Sequence, residues 1–158
     1  MTDIIQRIGE YNKFGSKLGL QRMEALLSEL GNPEKDLQVI HVAGTNGKGS
    51  TCKYLYEVLL AAGYTAGLYI SPFIEVFNER IQLNGANISD EDLTACGEEV
   101  LAAAKALKEK GKEEPTEFEI VTALAFVYYA KKNPDFVILE VGLGGGGDST
   151  NVIKKPLA

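Results

Sequence analysis

The stretch of this 158-residue chain that most restricts its fold is Val42-Ala43-Gly44-Thr45-Asn46-Gly47-Lys48-Gly49-Ser50-Thr51, where a β-rich apolar run passes straight into glycines, a lysine and two hydroxyls. An extended run over 38–43 would end where glycines let the backbone turn tightly and aim its N–H groups inward. A helix predicted from about Lys48 points its positive dipole end at the same place, so strand, loop and helix together form a cradle for an anion. In such a cradle Lys48 would bridge the terminal phosphates of a nucleotide, and Ser50 or Thr51 would hold Mg²⁺. The loop reads G-x-x-G-K-G-S, shorter than the common G-x-x-x-x-G-K-[ST] and with its hydroxyl one place late. Gly, Asn and Ser also serve ordinary turns and caps, but a turn has no use for a lysine between two glycines.

The rest of the chain alternates helical and strand patterns. Leu20, Met23, Leu26, Leu27 and Leu30 recur at helical spacing, and Gly31-Asn32-Pro33 stops the run. Cys52, Leu55, Leu59 and Ala62 form a second stripe, with Gly63 where a left-handed cap belongs, and 65–70 reads as a buried strand. Ser89 with Asp92 resembles a capping box ahead of Leu93, Cys96, Val100, Leu101, Ala104 and Leu107, and the charged run 108–114 reads as a solvated helix end and loop. A helix after Pro115 carries Ile120, Ala123, Leu124 and Val127, and Phe136-Val137-Ile138-Leu139 is a third buried strand. Three such strands separated by helices predict an α/β fold, a three-layer P-loop-type parallel sheet flanked by helices.

Composition bounds the partners. With 45% hydrophobic residues the chain can bury a sizeable core as one domain. The net charge is −6 and the lysines are scattered or interleaved with glutamates, so no basic face for nucleic acid is expected. Cys52 and Cys96 fall at apolar helical positions, and there is no signal-peptide pattern, transmembrane run or ligand-spaced Cys/His cluster. The expectation is a cytoplasmic protein with reduced thiols and no membrane partner.

In a parallel α/β sheet, ligands gather beyond the carboxyl ends of the strands. The first strand delivers the lysine loop, the second delivers Ser71-Pro72, and the third ends at Glu140 ahead of Gly142-Leu143-Gly144-Gly145-Gly146-Gly147-Asp148. A carboxylate beside a phosphate loop suits Mg²⁺, directly or through water, although a strand-end acid can also cap or face solvent. His41, in the middle of the first strand, reads as a packing histidine.

These blocks resemble, in the same order, those of the folylpolyglutamate synthase and dihydrofolate synthase family, of the Mur-ligase type. The resemblance rests on Gly44 to Thr51, on Ser71-Pro72 leading to Phe77-Asn78-Glu79-Arg80-Ile81, on Thr116-Glu117-Phe118-Glu119, and on Glu140-Val141-Gly142-Leu143-Gly144-Gly145. It implies an ATP- and Mg²⁺-dependent ligase of folate biosynthesis and one-carbon metabolism, in which ATP phosphorylates a folate carboxylate and the amino group of L-glutamate then displaces phosphate. By the same resemblance Lys48 and Glu140 are the catalytic residues. Gly44, Thr45, Asn46, Gly47, Lys48, Gly49, Ser50 and Thr51 hold ATP, and Ser50, Ser71 and Glu140 hold Mg²⁺. Leu18, Gly19, Leu20, Arg80, Thr116, Phe118, Asp148 and Ser149 face the folate or dihydropteroate. Phe118 could stack on a pterin and Asp148 could accept from its N–H groups. Leu18 and Leu20 can equally be core residues, and Thr116 with Glu119 can equally be a capping box.

The chain departs from the family pattern in three places. Gly146-Gly147 stand where an arginine and a bulky apolar residue are usual, Phe73 stands where histidine is common, and the sequence ends at Ala158. The resemblance therefore implies a partial amino-terminal ATP-binding domain over 1–158 of a monomeric parent, without the carboxy-terminal domain. Such a piece is expected to bind without turning over, and its open sheet edge would favour self-association. Two other readings remain: a non-catalytic nucleotide- or phosphate-binding module, and a Mur-type ligase acting on a cell-wall precursor.

Overall fold

The computed structural model describes residues 3–15, 19–44, 46–141 and 149–158. Its helices are α1 (Asp3–Gly9), α2 (Gln21–Glu29), α3 (Lys48–Ala61), α4 (Asp90–Glu109) and α5 (Glu117–Lys132). Its strands are β1 (Val39–Val42), β2 (Ala66–Tyr69), β3 (Ile81–Leu83), β4 (Ala86–Asn87) and β5 (Phe136–Glu140), in the order β1-β5-β2-β3-β4. The three strands expected from the sequence form the parallel part, with Val42 opposite Glu140 and Tyr69 opposite Leu139. The sheet as a whole is mixed, because two further strands extend it beyond the parallel three. After β2 the chain folds back through β3 and β4, antiparallel to their neighbours. Asn84 and Gly85 sit between them with φ of 50° and 88°, the positive values that a tight hairpin turn demands.

Successive strand residues point to opposite faces, and the two faces have different covers. Ala66, Leu68 and Ile138 pack with Cys52 and Tyr56 of α3. Val39, Tyr69, Val137 and Leu139 join a larger core with α1, α2, α4 and α5. Every residue of α5 from Glu119 to Tyr129 is buried, so the apolar stripe seen in the sequence understates a helix enclosed on all sides. The helix ends follow their expected signals. Ser89 Oγ accepts the Asp92 amide at 3.1 Å, and Gly63, with φ of 90°, closes α3. On the outer edge of β1, the Leu157 N–H donates to the Val39 carbonyl at 2.6 Å and the His41 N–H to the Ala158 carbonyl at 3.0 Å. The chain's own residues thus partly cover the edge that was expected to be open. Among the described residues no helix is long and apolar enough to cross a membrane.

Tyr129 ties the hairpin to the parallel core: its hydroxyl donates to the Leu68 carbonyl at 2.8 Å and approaches that of Gln82 at 3.0 Å. The ring reaches this position because residue 67 is glycine. A Cβ at Gly67 would lie 2.5 Å from Tyr129 Cε1. An aromatic ring held by its own hydrogen bonds has little room to yield, so Gly67→Ala is expected to destabilise the protein by about 1–3 kcal/mol. Denaturant unfolding would measure this, and a loss below the experimental error would show that the ring can shift.

Candidate functional site

The loop after β1 bends through Gly44, with φ of 151°, and Gly47, with φ of 74°, before α3 begins at Lys48. Among the described residues no side chain caps that helix start, which leaves the leading N–H groups of α3 available to a ligand. Asn46, Gly47, Gly49, Ser50 and Thr51 are exposed and Lys48 is half-buried. Lys48 Nζ donates to the carbonyl of Val141, just past β5, at 2.9 Å. Thr45 lies outside the described residues.

Because β5 runs between β1 and β2, its terminal Glu140 stands between the lysine loop and Ser71. Glu140 is buried, at 8% exposure. Its Oε2 accepts the Ser71 N–H at 3.2 Å, and its Oε1 lies 4.0 Å from where a Cβ on Gly49 would stand. One turn further into α3, burial pushes the Cys52 thiol up to about 12, the Glu140 carboxylate adding to the shift and Lys48 opposing it. Glu140 and Lys48 therefore act on the same small volume, and the thiol there stays protonated at neutral pH. Among the described residues no three His, Cys, Asp or Glu side chains converge as a metal cluster. A dication here would rest on one carboxylate, hydroxyl oxygens, phosphate oxygens and water, a donor set that fits Mg²⁺.

The other site residues lie around this centre in two groups. Gly19, with φ of 107°, and the half-buried Leu20 lead into α2, and Leu20 packs against the core as its alternative reading allowed. Thr116 and Phe118 open α5. Thr116 Oγ1 accepts the Glu119 N–H at 3.2 Å, and a Glu119 oxygen faces the Thr116 N–H at 3.4 Å, so the capping box is formed. Arg22 joins the two helix starts, its Nε and Nη2 donating to Glu119 Oε1 at 3.0 and 2.8 Å. Phe118 is half-exposed, and its carbonyl accepts from Thr122 Oγ1 at 2.8 Å. Thr122 Oγ1 is also 2.9 Å from the hydroxyl of Tyr69, the last residue of β2. Phe118 is thereby held at the same end of the sheet as Ser71.

The second group follows β2. The chain runs through Ser71 to a short 3-10 turn, Phe77–Arg80. The Arg80 guanidinium lies 5.3 Å from the centre of the Phe77 ring, and its Nε is buried without a hydrogen-bond partner among the described residues. Ser149 and Thr150 are buried in a 3-10 turn, and Thr150 Oγ1 is 2.7 Å from His41 Nε2, so His41 is a packing histidine as expected. Leu18, Asp148 and the glycines from 142 to 147 lie outside the described residues.

Two residues that organise this region carry no assigned role in the sequence reading. Arg22 gives no local signal, since its partner lies 97 positions away. Glu79 accepts the N–H groups of Ile74, Glu75 and Val76, each at 2.9 Å. These bonds, led by the one from Ile74, hold its carboxyl below the usual 4.5. An acid three residues after the start of a turn is a capping signal that could have been read.

No family model matches the chain. A dihydrofolate synthase/folylpolyglutamate synthase from Bacillus subtilis is 52% identical over 146 residues, covering 92% of this chain and 34% of that protein. The crystal structure of a folylpolyglutamate synthase from Thermotoga maritima superposes with a TM-score of 0.87 at 43% identity, over 96% of this chain and 36% of the other. A folylpolyglutamate synthase complex with AMPPCP and folate superposes with a TM-score of 0.85 at 41% identity, over 96% of this chain and 38% of the other. The chain thus spans little more than a third of the proteins it matches.

Proposed function

The chain is a homologue of the folylpolyglutamate and dihydrofolate synthases over about a third of their length, and from that premise we propose that it carries the Mg·ATP site of a ligase joining L-glutamate to folate or dihydropteroate. The observation that carries this reading is the meeting of the lysine loop, Glu140 and Ser71 at the ends of three adjacent parallel strands. In the proposed reaction a substrate carboxylate oxygen attacks the γ-phosphorus of ATP and ADP leaves. The amine of glutamate then attacks the acyl phosphate, expels phosphate and loses a proton, forming an amide.

Lys48 and the leading amides of α3 would offset the charge of the phosphoryl group in transfer, and fixed placement of the reactants lowers the entropic part of the barrier. Ser50, Ser71 and Glu140 would hold Mg²⁺, which supplies charge neutralisation between the phosphates. Gly44, Thr45, Asn46, Gly47, Gly49 and Thr51 complete the nucleotide cradle. Around the flat substrate we place Leu18, Gly19, Leu20, Thr116, Phe118, Asp148 and Ser149, with Phe118 stacking on the ring. The Nε of Arg80, unpartnered among the described residues, would meet a carboxylate or phosphate oxygen.

The chain's short span against its relatives supports a narrower statement for the 158 residues by themselves: nucleotide binding without turnover. The purified polypeptide is expected to bind Mg·ATP and to release no ADP when dihydropteroate and glutamate are added. Glutamate-dependent ADP release would overturn that restriction. Calorimetry with dihydropteroate, dihydrofolate and a UDP-sugar peptide separates the folate reading from a cell-wall one, and preference for the UDP-sugar peptide would sink the folate assignment.

A further inference from the structure

The backbone between β2 and the turn at Phe77–Arg80 is held by two carboxylates. At its start the Ser71 N–H donates to Glu140 Oε2 at 3.2 Å, and Pro72 has no N–H to donate. At its far side the N–H groups of Ile74, Glu75 and Val76 all converge on Glu79, at 2.9 Å each. Burial does not anchor this stretch, because Ile74 is 90% and Val76 51% exposed. Glu79 stands on firm ground. Phe77 beside it is buried, Asn78 Nδ2 donates to the Ile88 carbonyl at 2.8 Å, and Gln82 Nε2 donates to the Glu79 carbonyl at 2.9 Å. The excursion is closed at its base by the Ile70 N–H donating to the Arg80 carbonyl at 3.0 Å.

We propose that Glu79 is a positioning residue for the metal side of the site: by gathering three amides it fixes the course of residues 71–76 and so holds Ser71 against Glu140. The link to metal rests on the assignment of Ser71 and Glu140 made above; the link from Glu79 to Ser71 does not. Without the carboxylate, the Ile74, Glu75 and Val76 amides turn to water, and the polar ties described for 71–76 that remain stand at its two ends, the Ser71 N–H on Glu140 and the Glu79 N–H on the Val76 carbonyl at 3.1 Å.

The test uses the 158-residue chain with Glu79→Gln, whose amide keeps one acceptor oxygen and turns an NH₂ group toward the donors. Hydrogen exchange at Ile74, Glu75 and Val76, and also at Ser71, should quicken about tenfold or more, with Val137 in the core unchanged. At saturating ATP the apparent Mg²⁺ affinity should fall about tenfold, while ATP binding without metal stays as in the parent. Should Glu79→Gln not fold, as unprotected Val137 would reveal, Glu79→Asp, one methylene short of the amides, serves in its place. Unchanged exchange at Ser71 overturns the proposal, whether or not residues 74–76 respond, and so does unchanged Mg²⁺ affinity in a parent that binds Mg·ATP. A parent that binds no Mg·ATP sinks the nucleotide reading instead, and exchange at Ser71 still decides the role of Glu79.

Discussion

Lys48→Ala is expected to weaken Mg·ATP binding about 10- to 100-fold, the loss that accompanies removal of a hydrogen bond to a charged group worth about 1.5–3 kcal/mol. In the free protein Lys48 Nζ donates to the Val141 carbonyl at 2.9 Å, a neutral acceptor beside the backbone it would leave on meeting phosphate. Losing that contact should cost stability only about 0.5–1.5 kcal/mol. The signature is therefore a large change in affinity with a small change in Tm, measured by calorimetric titration and thermal unfolding. Repeating the titration with dihydropteroate present tests the substrate assignment in the same experiment. An unchanged Kd would remove Lys48, and with it the phosphate reading, from the site.

Arg22→Ala should be the most damaging of these substitutions to the fold. Side-chain exposure is 9% for Arg22 and 2% for Glu119, and among the described residues truncation leaves the carboxylate in the interior with its Thr116 capping contacts and no countercharge. Breaking a buried pair from one side costs about 3–5 kcal/mol. Burial already lifts the Glu119 carboxyl above its ordinary 4.5, against the pull of Arg22. With a raised value, the folded state keeps its proton at pH values where the unfolded chain has lost it. The stability of Arg22→Ala should accordingly fall as pH rises from about 4.5 through that raised value, and recover on acidification. Denaturant unfolding across this range measures the effect. A variant as stable as the parent at pH 7, or one that gains stability as pH rises there, would show that Glu119 finds another partner.

The parallel core and the site centre were legible because they use local signals. Gln38–Ala43, 65–70 and 136–139 are short apolar runs bounded by turns, and the lysine between two glycines is hard to explain by packing. The hairpin was legible in principle: Asn84-Gly85 is a strong tight-turn signal, but the strands it joins are only three and two residues long, too short to show alternation. The shared duty of Thr116 and Glu119 could not be resolved from spacing, since a capping box and a binding loop ask for the same residues. Arg22 was out of reach altogether. Nothing near it in sequence records a carboxylate waiting on another helix, and the ion pair arises only when α2 and α5 are packed together.

The strand order also governs how the molecule can come into being. β1 and β2 are separated in the sheet by β5 and make no ladder with each other. A chain growing from its amino terminus has made both strands well before residue 136, yet at that point β1 has no strand partner and β2 has only β3. Insertion of β5 pairs both at once across long sequence separations, Val39 with Val137 and Ala66 with Phe136, which favours slow, cooperative folding over stepwise assembly. Glu140 is the last residue of that strand, so the pairing that completes the parallel core and the carboxylate at the centre of the candidate site arrive in one event. In pulse-labelling during refolding, protection at Ile40, Tyr69 and Val137 should appear together, and no nucleotide-competent species should precede it.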